Sequence, residues 1–481
     1  MINEIKINTF DQNNIKSLKN IYTPIIPVDS TFANNSENRA VDYKAVCLFA
    51  ATGFFWGADT YWTNKKTLFP GSNHQLDAAN QLIDSQPYFK WHYSPKKNYS
   101  FEEALEDFTT LFETIIDEQI GDQQAILAIS GGLDSRTQAV ALKHLNKKVT
   151  AYSYSFTGGY SESGIAEKIA KACAFDFKKF LIPENYLWNS IEELAEINQC
   201  YSEFTHPRQM AVLAEFQKMQ GVFSLGHWGD VLFDKGAPAE YTEKDIIALV
   251  KKKVIKKGGL ALGEALWKDW QIEGDFKEYL DAKIKELLAQ IDIEHIPSKM
   301  RAFKSLFWAP RWTSVNLSVF KKAHPITLPY YDNRMCEFIC QVPEEYLVDR
   351  KLQIAYIQKR NPAVAKITWQ DERPFNLNNY HLNKMPYNLP FKVGRKLKAG
   401  MQKLSNKKYI QRNWELQFLG EENKKQLESY LFDKQFNSFL PATTVQKFYD
   451  KFKHEDDVFY SHPVSMLLTL SIWNKKFNHD Q

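Results

Sequence analysis

Apolar and polar positions fall into blocks whose spacing changes along the chain. In FEEALEDFTTLFETIIDEQI, residues 101–120, apolar residues recur at helical spacing against an acidic surface, which predicts an amphipathic helix. The blocks that follow are short and alternate in kind. QQAILAIS reads as a buried strand, TQAVALKHL as a helix, KKVTAYSYSF as a second strand, GIAEKIAKAC as a second helix and FDFKKFLI as a third strand. PRQMAVLAEFQKM is helical in pattern, and GVFSLG is a further strand. This alternation predicts an α/β fold, a parallel sheet with helices on both faces. Residues 240–320 and 336–481 read as mostly helical, and the basic runs KKKVIKK and FKVGRKLKAGMQKLSNKK read most simply as solvated helix faces. Ahead of this region, VCLFAATGFFWG, DTYW, TLFPGS and PYFKWHY suggest a β-rich stretch punctuated by Gly53, Gly57, Pro70 and Gly71. The best boundary lies in KWHYSPKKNYS. The expected division is a small β-rich domain over 1–97, an α/β domain over 98–376 and a helical part over 377–481.

Composition narrows this picture. A chain of 481 residues with 44% hydrophobic content is long enough for two or three cores. Its 61 basic and 57 acidic residues nearly balance, which argues against nucleic acid as a partner. Five scattered cysteines form no disulfide framework and fit a reducing cytoplasm. The polar start MINEIKINTFDQNN has no apolar signal core, and no run reaches the length of a membrane span.

The strand QQAILAIS runs into Ser130-Gly131-Gly132-Leu133-Asp134-Ser135 and then a helix. Glycines at a strand-to-helix junction let backbone N–H groups approach an anion, and the helix start favours negative charge. Two serines add hydroxyl donors. An aspartate among them repels phosphate unless a cation bridges the two, so Asp134 suggests Mg²⁺. An ordinary βα turn is the alternative for a bare Ser-Gly-Gly.

The full hexapeptide SGGLDS resembles the SGGxDS pyrophosphate loop of the ATP pyrophosphatases that release AMP. Three further stretches are similar to the synthetase domain of the asparagine synthetase family. YSESGIAEKIA places Glu162 on a family glutamate, with Ser161 replacing an aspartate. GHWGDVLF resembles the family's GxGxDExF: Gly226 and Asp230 match, while Trp228 replaces a glycine and Val231 a glutamate. LPYYDNRM resembles PFLD and precedes a segment in which Lys351 and Pro362 match but Ala355 lies nearest the expected arginine. The ending YSHPVSMLLTLSIWNKKF looks like the family's C-terminal helix. GADTYWTNKKTLFPGSNHQLD resembles the end of the family's glutaminase domain, whose nucleophile is a cysteine exposed at residue 2; here residue 2 is Ile2, and Cys47 sits in an apolar stretch.

The resemblance implies an adenine nucleotide alpha hydrolase-like fold and an ATP-dependent ligase. Such an enzyme adenylates a carboxylate, by default aspartate, releases pyrophosphate and transfers ammonia or another amine. ATP would be bound by Ser130, Gly131, Gly132, Leu133, Asp134, Ser135 and Gly226, with Ile126, Leu127 and the loop after Tyr154 lining the adenosine. Asp134 and Asp230 would hold Mg²⁺. His227 is the candidate base, against a histidine merely hydrogen-bonded in a buried turn. Lys351 is the candidate cation, with Lys366 and Arg373 as alternatives. The partners implied are a small-molecule acid, an amine donor and, for ammonia, a separate glutaminase. Relatives that amidate surface sugars or cyclise lasso peptides keep the substrate open, and a non-catalytic nucleotide-binding member is the reading from another class.

Overall fold

A computed structural model describes residues 3–7, 40–76, 82–159, 163–234, 236–404 and 410–478. Ser161 and Glu162 lie outside the described residues. Strands β1 (Asn3–Ile7), β2 (Ser72–Leu76) and β3 (Leu82–Pro87) form an antiparallel sheet in that order. Between β1 and β2 the sequence pattern misleads. Residues expected in a strand fold as helix α1 (Tyr43–Thr52). Asp42 caps it by accepting from the N–H of Ala45 at 3.0 Å, and Gly53 ends it with φ of 81°. Its residues from Ala45 to Thr52 are all buried, so no polar face marks the helical period.

The larger sheet contains β4 (Ala125–Ala128), β5 (Val149–Phe156), β6 (Asp176–Ile182), β7 (Val222–Ser224) and β8 (Ile326–Thr327). All its pairings are parallel, in the order β6-β5-β4-β7-β8. Helix α2 (Phe101–Ile120) precedes it, started by a capping box in which Ser100 and Glu103 bond each other's N–H groups. Helix α3 (Asp134–His144) joins β4 to β5, and α4 (Ser163–Ala172) joins β5 to β6. Helices α5 (Tyr186–Asn198) and α6 (Leu213–Gln217) lead from β6 back across the sheet to β7. From β4 the chain advances through β5 to β6, then returns to build β7 and β8 on the other side of β4. Right-handed crossovers in opposite directions put α3 and α4 on one face and α5 and α6 on the other. The topological switch point therefore lies between β4 and β7, whose C-terminal ends frame a crevice.

Helices dominate the remainder, as their apolar spacing predicts. Helix α7 (Gly229–Leu232) follows β7, and α8 (Glu243–Val254) and α9 (Gly259–Asp269) come next. Helix α1 lies against α9 at short range, because a Cβ at Gly259 would stand 2.2 Å from the Ala51 carbonyl oxygen. The helix Lys351–Arg360 is fixed on α2 by Arg360, which donates to both Glu113 oxygens at 2.8 Å. The last helix, Ser461–Phe477, is buried along most of its length, with Trp473 stacked on Tyr61 at 4.2 Å between ring centroids. One continuous apolar core joins α1, both faces of the parallel sheet and this last helix.

Candidate active site

A cavity of about 1100 Å³ opens at the switch point. One wall is the loop between β4 and α3. Its backbone is tied internally: the Ser130 N–H donates to Ser135 Oγ at 3.0 Å, and the Gly132 N–H donates to Ser130 Oγ at 3.2 Å. Gly131 faces the other way. Its N–H donates to Gln370 Oε1 at 3.1 Å, and a Cβ there would stand 2.3 Å from the same atom. Arg136, fully buried in α3, donates to the carbonyls of Gly131, Ile367 and Thr368 at 2.8–3.1 Å. The loop is thus clamped from behind by residues 367–370, with Ser130, Gly132, Leu133, Asp134 and Ser135 on the cavity.

The facing wall is the turn after β7. Gly226, His227, Trp228, Asp230 and Val231 line the cavity. Two glycines let the walls meet. A Cβ at Gly226 would stand 3.1 Å from the Ser135 nitrogen, and one at Gly229 would stand 2.2 Å from Asp134 Oδ1. Trp228 is held at φ of 78°, a costly conformation for a bulky residue, with its indole N–H donating to Ser305 Oγ at 3.0 Å. This strain turns the chain so that His227 and Asp230 share the cavity.

Asp134 is the electrostatic centre. Burial pushes its carboxyl up to about 6, the neighbouring Asp230 adds to the rise, and the Arg350 guanidinium opposes it. Arg350 pairs with Asp134 Oδ1, which also accepts from Gln353 Nε2 at 3.1 Å. Tyr330 donates to the Asp134 carbonyl at 3.1 Å and accepts from Gln353 Nε2 at 3.0 Å. The LPYYDNRM segment therefore meets the glycine loop through its first tyrosine. Asp349 and Arg350 both have left-handed backbone, with φ of 60° and 63°, and this kink aims Arg350 at the loop.

From this segment it is Arg350, not Lys351, that lines the cavity. Lys351 is exposed and donates to the Glu345 carbonyl at 2.9 Å, while neither Lys366 nor Arg373 lines the cavity. Leu127 and Ile126 are buried in the core and do not reach it either; Ala128, Ile129 and the stretch from Tyr152 to Phe156 form that side. His227 lines the cavity with its Nδ1 buried and without a hydrogen-bond partner among the described residues. Burial holds it down to about 4, against the pull of Asp230, so the ring is neutral at pH 7.

Three cations outside the recognised motifs complete the walls: Arg208, Lys253 and Lys304. Lys304 begins a π-helical segment, Lys304–Thr313, that also sends Trp308, Trp312 and Thr313 to the cavity. Burial, with Lys253 adding, lowers the Lys304 ammonium to about 8. These residues carry no spacing signal in the sequence, because they converge from separate elements.

Four cations on one cavity fit a polyanion. The two aspartates fit Mg²⁺ in a particular way. No group of three or more metal-binding side chains occurs among the described residues, so a metal held by Asp134 and Asp230 would take its other ligands from phosphate oxygens and water, as Mg²⁺ commonly does. A divalent cation there would offset both the burial and the Asp230 repulsion that raise Asp134.

The asparagine synthase family model matches residues 108–474. The chain belongs to the asparagine synthase family. It is accordingly an ATP-dependent, amide-forming synthetase in the broad sense of that family. No curated protein matches. Among solved structures, NMN synthetase from Francisella tularensis is similar at 15% identity, covering 43% of this chain and 94% of that one, with a TM-score of 0.22.

Proposed function

We propose that the switch-point cavity binds Mg-ATP and a carboxylic acid, forms the acyl adenylate with release of pyrophosphate, and passes the acyl group to ammonia or another amine. The observation that carries this reading is the meeting of Asp134 and Asp230, from the starts of α3 and α7, beside Ser130, Gly132 and Ser135 and with four cations on the same cavity. Bound Mg²⁺ would neutralise the pyrophosphate charge between the two aspartates. The chain's own groups do the rest. Ser130, Ser135 and the Gly132 region cradle phosphate oxygens, and Arg350, beside Asp134 on the same cavity, adds a guanidinium for them. Arg208, Lys253 and Lys304 stabilise charge that develops as a carboxylate oxygen attacks the α-phosphorus and the bond to pyrophosphate breaks. The amine nitrogen then attacks the acyl carbon, AMP leaves, and neutral His227 accepts the amine proton.

Aspartate is the default acid. The cavity exceeds the usual range of single small-ligand pockets, and Trp228, Trp308 and Trp312 give it aromatic walls, which also suits a sugar or peptide acid. The first 97 residues are read as a glutaminase-like region, with ammonia supplied free or by a separate enzyme.

The test is pyrophosphate release from Mg-ATP with aspartate and ammonium, separately and together. Release that requires an acid, and an amide that appears only with the amine, supports the reading. Asp230→Ala is expected to lower release at least 100-fold with an unchanged circular dichroism spectrum; full release by that variant would remove Asp230 from the site.

A further inference from the structure

Residues 384–408 carry eight of the chain's 61 basic side chains and none of its 57 acidic ones; without them the net charge of +4 becomes −4. Most of the described part of this stretch is the helix Leu389–Leu404. On its first two turns the apolar residues are outside: Leu389, Val393 and Leu397 are 45%, 47% and 65% exposed. At helical spacing these three stand within about 80° of one another, and Lys392, Arg395 and Lys396 fall outside that arc. Met385 and Tyr387, just before the helix, are exposed as well. Buried Asn388 and half-buried Phe391 occupy the opposite side, so the apolar stripe points away from the body of the protein. Such a stripe is costly in water, and none of the described residues covers Leu389, Val393 or Leu397.

We infer that this helix docks the protein on an anionic lipid bilayer. The combination favours this occupant. Leucine and valine on one face, dense lysine and arginine beside them and no acid in between match a helix lying in the headgroup region of a negatively charged membrane. The helix docks without crossing, since no described helix is long and apolar enough to span. Its position gives docking a consequence. The chain leaves the cavity lining at Asp371 and rejoins it at Gln411, next to Ile410, which pairs with Gly159 beyond β5. Docking through the intervening helix brings the bilayer to a segment flanked on both sides in sequence by cavity-lining residues.

The experiment is co-sedimentation of the full chain with vesicles of phosphatidylcholine alone and of phosphatidylcholine with phosphatidylglycerol. Binding at least tenfold tighter to the anionic vesicles is expected, weakening as salt rises. The variant Leu389→Ser/Val393→Ser/Leu397→Ser should lose at least tenfold. Lys392→Glu/Arg395→Glu should lose more, since each basic residue near such a surface contributes roughly fivefold. All five substitutions are at exposed positions, so the fold is retained. Val393→Cys, labelled with an environment-sensitive fluorophore, reports insertion directly, because the five native thiols are buried. A blue shift on anionic vesicles is expected. Failure to bind anionic vesicles, equal binding to both vesicle types, or equal binding by the serine variant would overturn the inference.

Discussion

Asp134 illustrates how far one residue can be read from a motif. The hexapeptide suggests an anion-binding turn and a metal, but not that Arg350 and Gln353 bond the Asp134 carboxylate. The arginine was hidden one position ahead of the lysine that the sequence singled out. Only the consecutive left-handed residues Asp349 and Arg350 turn that side chain inward, and neither residue type announces such a backbone. Lys304 had no signal at all, because burial and its neighbour Lys253 act through folding. Its ammonium, lowered to about 8, is charged at pH 7 and loses its proton as pH rises through that value. Anion binding should therefore weaken above about pH 8. Titrating pyrophosphate by calorimetry from pH 6.5 to 9.5 should show that limb, Lys304→Arg should abolish it, and Lys304→Met should weaken binding roughly tenfold at pH 7, the scale of one charge-assisted hydrogen bond. A wild-type affinity that stays flat across pH 8 would remove Lys304 from the anion site.

Elements were legible where their apolar spacing was one-sided. Helix α2 shows its acidic face in the sequence, and β4 and β7 are short apolar runs, with β5 and β6 set off from them by stretches of helical pattern. Helix α1 was not legible as a helix, since burial on every side erases the period, and an apolar run can be strand or helix until its neighbours are known. The π-helical stretch Lys304–Thr313 also lay beyond pattern reading. It is held by Arg311, whose guanidinium donates to the carbonyls of Gly57 and Asp59 at 2.7 and 2.6 Å and to Thr67 Oγ1 at 2.5 Å. Arg311→Met would leave those buried acceptors without a donor and is expected to cost about 3 kcal/mol. Urea unfolding measures it directly, and a midpoint within error of wild type would show that the clamp is dispensable.

For the whole molecule, the motifs located the cavity and the topology explains it. Loops after β4 and β7 face each other because the strand order reverses between them. What the sequence could not supply was the set of long-range partners, Arg136 on residues 367–368 among them, that fix the loop's shape. The thiols complete the picture at this scale. Cys47 is fully buried in α1, and burial pushes its pKa well above the ordinary thiol range, which disfavours the reactive thiolate. The pure protein should release no glutamate from glutamine, and iodoacetamide should leave Cys47 unlabelled in the native state; steady glutamate production would contradict that account.

The central claim is that two aspartates at the starts of separate helices hold a metal–pyrophosphate unit at the switch point. The most direct measurement needs no knowledge of the acid or the amine: calorimetric titration of the protein with pyrophosphate, with and without Mg²⁺, for wild type and Asp230→Asn. The account predicts binding that tightens at least tenfold with Mg²⁺ and a loss of that gain in the variant. Binding indifferent to Mg²⁺, or a variant that keeps the full gain, would contradict it.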